Sequence, residues 1–204
     1  MINFNHINAY LTTNLDLRYS YKSLKVVQKL AFINFGAEMD YEKLFELAKP
    51  ILKRNDLGAT HTIRVLAIAR DNFLIPAEFE ELTVTSIILH DIGGASIKDQ
   101  YENGPRIAAS ILDQMGCDET FTKTVSAIVG THHDHPDNPS IPFRILYDSD
   151  KIAMFSAEEF PWYDSRPDFD WNKMVDLFYS EKAKSLARKM LRQRRNEKKP
   201  KSLN

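Results

Sequence analysis

The sequence predicts an all-α protein, on three observations. Apolar residues recur at spacings of three and four along most of the chain, strand-like alternation is scarce, and helix starts and stops punctuate the pattern. With 204 residues, 43% of them hydrophobic, the chain can bury one compact core and carry an extension.

Residues 1–40 are polar and mixed in pattern, and Val26, Val27, Leu30, Ile33 and Phe35 suggest a single helix in an N-terminal extension. The signals sharpen at Asp40, an N-cap residue that opens a helix from Tyr41 to Arg54, with Leu44, Leu47, Ile51 and Leu52 inward and Pro50 as a kink. Asn55-Asp56-Leu57-Gly58 breaks it, and a second helix runs from Thr60 to Asn72. Pro76 precedes a third, which stops near the pair Gly93-Gly94. A fourth is expected from Gly104 to Met115, a fifth from Glu119 to His132 and a sixth from Phe143 to Met154. Residues 155–171 interleave aromatic and acidic side chains without helical period, and read as a structured loop that either packs on the last helix or stacks on a ligand. The last helix, from Trp171 to Arg195, carries the stripe Val175, Tyr179, Leu186 and Met190. The main domain is therefore 41–195, followed by a disordered basic tail at 196–204.

Composition narrows the function. A net charge of -1 argues against a surface that grips long nucleic acid by phosphate neutralisation, so any anion must be met locally. The one cysteine, Cys117, excludes an intramolecular disulfide and a thiolate metal cage. No leader-like start and no membrane-length apolar run is present, and a cytoplasmic protein is expected.

Five of the six histidines fall in the middle of the chain, in or at the ends of helices that otherwise look like core. His61 shares a face with Val65 and Ile68, so its imidazole points inward. His90 follows Ile87-Ile88-Leu89 and is followed directly by Asp91. Adjacent helical residues diverge by about 100°, so these two converge only on something held between them near a helix end. His132 lies on the face of Phe121, Val125 and Ile128, and Asp150 on that of Phe143, Leu146 and Met154. Asp148 instead lines up with Arg144 as a helix-surface pair. Buried carboxylates without partners are costly, so Asp91 and Asp150 need a cation or donors nearby. Imidazoles mixed with carboxylates suit Mn, Fe, Co, Ni or Zn better than calcium.

His61 in Ala59-Thr60-His61-Thr62-Ile63-Arg64-Val65, then His90-Asp91-Ile92-Gly93, Thr131-His132-His133 and Asp148-Ser149-Asp150-Lys151-Ile152 resemble, in order and spacing, the H…HD…D signature of HD-domain phosphohydrolases. The resemblance spans residues 41–154. It implies an HD-domain-like orthogonal helical bundle with one divalent metal on His61, His90, Asp91 and Asp150. It also implies hydrolysis of a phosphomonoester or phosphodiester, often a nucleotide, by metal-activated water, with Asp91 orienting that water or accepting its proton. Two departures stand out: Gly94 occupies a position where many relatives have a lysine or carboxylate, and Asp99 to Gly104 lacks the histidine common in two-metal relatives. One metal is expected, with His132 and His133 serving substrate or water.

Each flanking residue carries two readings. His132 and His133 are active-site groups or capped core imidazoles, and His135 is a solvated turn residue. Arg64, one turn beyond His61, clamps a phosphate or forms a structural ion pair. Lys98 and Arg106 line the pocket mouth or are ordinary solvated charges. The basic run from Arg188 to Lys201 is a solvated helix end or a nucleic-acid contact. At the level of function, a small phosphorylated substrate for a phosphohydrolase competes with a non-catalytic phosphate-ligand sensor and with a di-iron oxygenase on the same fold.

Overall fold

The structure is a computed structural model that describes residues 39–52 and 57–197. The helix expected within 1–40 and the tail from Lys198 onward lie outside the described residues. Among the described residues every regular element is helical: α1 (Tyr41–Leu52), α2 (Gly58–Asn72), α3 (Ala77–Leu89), α4 (Ile97–Met115), α5 (Glu119–Thr131), α6 (Ile141–Ala153), α7 (Phe160–Asp164), α8 (Trp171–Asp176) and α9 (Glu181–Glu197). None of these helices is long and apolar enough to cross a membrane.

Helix α3 is the hub. All seven residues from Thr83 to Leu89 are buried, as expected of a helix covered on every side. It packs against α1, α2, α5 and α6. Its chain ends at His90 and turns through Ile92, whose N–H donates to the Leu89 carbonyl at 3.1 Å. The turn then passes very close to α4. A Cβ on Gly93 would lie 2.5 Å from the Gln100 Cα and 2.8 Å from the Gly104 nitrogen, so only glycine lets the two backbones meet.

Helix α4 begins seven residues earlier than the sequence reading placed it. Gly104-Pro105 looks like a start because both residues weaken a helix interior. The true start is Ser96, whose Oγ accepts the Asp99 N–H at 3.1 Å. Gly104 and Pro105 serve packing instead: Gly104 faces Gly93, and a Cβ on Gly130 of α5 would lie 2.7 Å from the Pro105 ring.

The long last helix is two helices. The apolar stripe predicts one helix across Tyr179, but the chain leaves helical geometry between α8 and α9, and Phe178 turns into the core there with 3% exposure. Asp148, expected at the surface, is the cause: it is 1% exposed and its carboxylate accepts the Tyr179 N–H at 2.8 Å, the Ser180 N–H at 3.0 Å and the Ser180 hydroxyl at 2.7 Å. Ser180 Oγ in turn accepts the Ala183 N–H at 3.1 Å and caps α9. His135 is exposed, as expected of a turn residue, yet its Nε2–H donates to the Leu177 carbonyl at 2.8 Å and its ring stacks on Tyr179 with centroids 4.5 Å apart.

Residues 155–171, expected as a loop, contain α7 and pack against the last two helices. Phe155, Phe160 and Trp171 join Val175, Phe178 and Leu191 in one buried cluster, with Phe160 and Trp171 stacked at 4.4 Å. The packing reading of this segment is the one the contacts support. The basic residues Arg188, Lys189, Arg192 and Arg195 of α9 are exposed, opposite Ala183, Ala187 and Leu191, which face the core.

Asp148→Ala is expected to lower stability by about 2–3 kcal/mol, since two backbone N–H groups and a capping hydroxyl lose their acceptor. Urea unfolding measures it, and Asp148→Asn should recover part of the loss.

Candidate metal centre

His61 comes from the first turn of α2, His90 from the residue that caps α3, Asp91 from the turn behind it, and Asp150 from the last turn of α6. Because α3 ends at Leu89, Asp91 leaves the helical path and can return toward the atom that His90 faces. His61 Nε2 lies 3.2 Å from His90 Nε2, 3.0 Å from Asp150 Oδ1 and 3.6 Å from Asp91 Oδ2. His90 Nε2 lies 3.4 Å from Asp91 Oδ2 and 3.8 Å from Asp150 Oδ1. The three side chains His61, His90 and Asp150 are buried, and the Asp91 side chain is 20% exposed.

The second ring nitrogens fix which atoms can bind. His90 Nδ1 is 2.8 Å from the Ile87 carbonyl, and a carbonyl only accepts, so Nδ1 carries the proton and Nε2 a lone pair. His61 Nδ1–H donates to Glu159 Oε1 at 2.9 Å, which leaves Nε2 to face the cluster: it donates to Asp150 Oδ1 at 3.0 Å while the ring is protonated and offers a lone pair once that proton is lost. His132, capping α5, repeats the arrangement: its Nδ1–H donates to the Val129 carbonyl at 2.7 Å. Helix ends supply these carbonyls because their last turn has no intrahelical donor.

A second group adjoins the first. His132 Nε2 sits 3.4 Å from Asp91 Oδ1, is buried, and has no hydrogen-bond partner. His133 lies beside it with ring centroids 3.9 Å apart. Its Nε2–H donates to Gln100 Oε1 at 2.7 Å, and Gln100 Nε2–H donates to the Gly94 carbonyl at 3.0 Å. Asp91 thus turns one oxygen to each group: His61, His90 and Asp150 on one side, His132 and His133 on the other.

These neighbours set the charge states. Burial opposes a charged His61, but hydrogen bonds to Asp150 and Glu159 and the fields of Asp150 and Asp91 outweigh it and lift its pKa to about 10. Burial holds His90 below the ordinary histidine range, helped by His61 and His132. Burial, with His132 and Lys151, holds His133 down at about 3. Burial works against ionised Asp91 and Asp150, yet their partners keep both below the carboxylate range: the histidines for Asp91, Lys151 and His61 for Asp150.

The donor set fits a cation. Two imidazole Nε2 atoms face each other at 3.2 Å between two carboxylates, held there without a metal by the proton on His61 Nε2, whose place a metal ion can take. Separations of 3.0–3.8 Å match what neighbouring ligand atoms adopt at bonds of about 2.0–2.2 Å to a first-row ion. The orphaned Nε2 of His132 is a further acceptor without a donor.

The structure therefore brings His61, His90, Asp91, Asp150 and His132 together, with His133 beside them. It does not bring the three expected substrate cations to that cluster. Arg64 is turned to Glu159 Oε1, with its Nε 3.7 Å from Glu158 Oε2. Lys98 is 80% exposed and pairs with Glu102 along α4, and exposed Arg106 reaches Asn103. Lys98 and Arg106 are surface charges because α4 starts early and carries both on its outer face. Two residues of the site carry no signal in the sequence pattern. Glu159 lies in a segment too short for periodicity to mark, beside a second glutamate that looks like a solvated pair. Gln100 lies in the stretch read as preceding α4. Gly94 also finds an explanation: its φ is 143° and a Cβ would lie 2.9 Å from that of Asp99, so a longer side chain is excluded.

Residues 58–154 match the family described as HD domain. This stretch is the part of the chain that is similar to an HD domain. It runs from α2 to α6, and every cluster residue except Glu159 falls inside it. A solved structure with a similar fold is the crystal structure, at 1.45 Å, of a predicted HD superfamily hydrolase from an uncultured Thermotogales bacterium. It aligns with a TM-score of 0.55 at 21% identity, over 76% of this chain and 87% of that one. No curated protein matches the sequence.

Asp150→Ala and His61→Ala are each expected to reduce metal retained after dialysis by about 100-fold or more while leaving helical content intact, as elemental analysis beside circular dichroism would show. A second expectation concerns acid. His133 has a folded pKa of about 3 against 6.5 for the free side chain, so the unfolded state binds more protons between those values. Its contribution is complete above 6.5 and is lost as pH falls toward 3. The metal-free His133→Gln variant should show a shallower fall in urea midpoint over that window.

Proposed function

We propose that this HD domain is a metal-dependent phosphohydrolase that acts on a small phosphorylated compound, with a nucleotide as the first class to test. The observation that supports it most is the convergence of two imidazole Nε2 atoms and two carboxylates, one of them Asp91, which is partly open to solvent. His61, His90, Asp91 and Asp150 would hold one divalent ion, of Mn, Fe, Co, Ni or Zn, since oxygen and nitrogen donors without sulfur suit these. When bound, such an ion supplies Lewis acidity toward a phosphoryl oxygen and makes water a nucleophile at neutral pH.

The side chains divide the remaining work. Asp91, the most exposed of the four, is placed to accept a proton from attacking water. His132 and His133 are hydrogen-bonded so that each keeps one unprotonated nitrogen, His132 Nε2 and His133 Nδ1. Both act as acceptors that orient water. Lys151, with Nζ 2.7 Å from Asp150 Oδ2 and a side chain 13% exposed, takes the role of phosphate contact that Arg64, Lys98 and Arg106 do not fill. With a lone cysteine and no membrane-length helix among the described residues, the chain suits a cytoplasmic role on a diffusible substrate.

A second reading is favoured by one observation. The buried His132 Nε2, without a hydrogen-bond partner and 3.4 Å from Asp91 Oδ1, gives a second ion a place beside the first. Two ions would serve hydrolysis equally well, or dioxygen chemistry if both were iron.

The test is a panel of nucleoside mono-, di- and triphosphates and model diesters assayed on metal-loaded protein, with metal stoichiometry measured in parallel. Phosphate or nucleotide release that falls by at least about 100-fold in Asp91→Ala is expected. Tight nucleotide binding without release would make the domain a sensor, and two irons with an oxygen-dependent reaction would make it an oxygenase.

A further inference from the structure

The chemistry assigned to the cluster leaves one buried charge unused. Glu159 precedes α7, outside the matched HD domain, and is 1% exposed. Its Oε1 accepts from His61 Nδ1–H at 2.9 Å and from the Arg64 guanidinium. Its Oε2 is buried and has no hydrogen-bond partner. A carboxylate in that position cannot be paid for by packing, because an ionised oxygen without a donor costs more than an apolar side chain would. Its two partners both belong to α2, one turn apart, and one of them is a candidate metal ligand.

We propose that Glu159 and Arg64 form a positioning pair for His61 that sets how tightly the centre holds its metal. The inference rests on the metal-centre reading, not on the reaction. Glu159 binds the His61 Nδ1 proton, which fixes the tautomer, aims Nε2 at the cluster and raises its basicity as a ligand. Arg64 has a different task. Placed on the same oxygen, its fixed positive charge anchors the buried carboxylate on the α2 side and holds Oε1 where it accepts from His61.

The backbone around Glu159 is built to hold it. Its N–H donates to Ser156 Oγ at 3.2 Å, and its carbonyl accepts the Trp162 N–H at 3.0 Å. The next residue, Phe160, is clamped against Trp171 in the aromatic cluster. The segment beyond the HD domain therefore reaches back and completes the surroundings of His61. This gives the aromatic and acidic residues 155–171 a purpose besides packing.

The experiment measures affinity for Zn²⁺ and Mn²⁺ on the full chain by competition with a chromogenic chelator, for wild type, Glu159→Gln, Glu159→Ala, Arg64→Lys and Arg64→Ala. Metal-free urea unfolding and circular dichroism are recorded for each. Glu159→Gln, which keeps the shape and an acceptor but loses the charge, is expected to weaken binding about 10-fold, and Glu159→Ala by up to about 100-fold. Arg64→Ala should weaken it about 10-fold, with Arg64→Lys recovering part of the affinity, and the double variant Arg64→Ala/Glu159→Gln should lose less than the two single losses combined. Histidine ring spectra of the Zn²⁺-loaded protein add a readout that a merely structural role leaves unchanged: the His61 Nδ1–H should be a protected, downfield resonance in wild type and should move upfield and exchange faster in Glu159→Gln. Folded Glu159→Gln with affinity within twofold of wild type and an unchanged His61 Nδ1–H resonance would overturn the pair. Wild type that binds neither ion would overturn the metal centre itself.

Discussion

Two imidazole nitrogens face each other across 3.2 Å inside this protein, with a carboxylate on either side, and as bare lone pairs they would repel. Left alone, that arrangement is unfavourable, and the fold is organised to enforce it. The Nδ1 proton of His90 is held by a carbonyl that the end of α3 leaves without a donor, and that of His61 by Glu159. Neither ring can turn without giving up a buried hydrogen bond. A cation between them converts the repulsion into the cohesion of the centre.

The rest of the bundle follows from placing those rings. Helix α3 is buried over its last two turns, so His90 arrives at a fixed depth. Gly93 then lets the chain pass against α4, which carries Gln100 to His133. Helix α6 works on two sides. Residues two apart on a helix diverge by about 200°, so Asp150 joins the cluster while Asp148, facing away, seizes the backbone between α8 and α9. The site and the packing of the last helix are thereby built from one short helix, and the aromatic cluster under α9 fixes the segment that delivers Glu159.

Much of the site was legible in the sequence, because inward helix faces are written in the spacing of apolar neighbours. His61 with Val65, and Asp150 with Leu146, needed only that arithmetic. Asp148 was not legible: its pairing with Arg144 at one turn is a local pattern, while its true partners at Tyr179 and Ser180 are distant in sequence. The same limit hid Glu159, whose partners lie in α2. Local pattern also misplaced the start of α4, since Gly104 and Pro105 are poor helix residues chosen for what they touch, Gly93 and Gly130. Arg64, Lys98 and Arg106 show the converse: a charge near a site in sequence says little about where its long side chain ends.

X-ray absorption at the metal edge of the loaded wild-type protein addresses the central claim most directly. A shell of nitrogen and oxygen donors at about 2.0–2.2 Å, with scattering from at least two imidazole rings and no sulfur, is expected. A bound metal whose spectrum lacks imidazole scattering would contradict that claim.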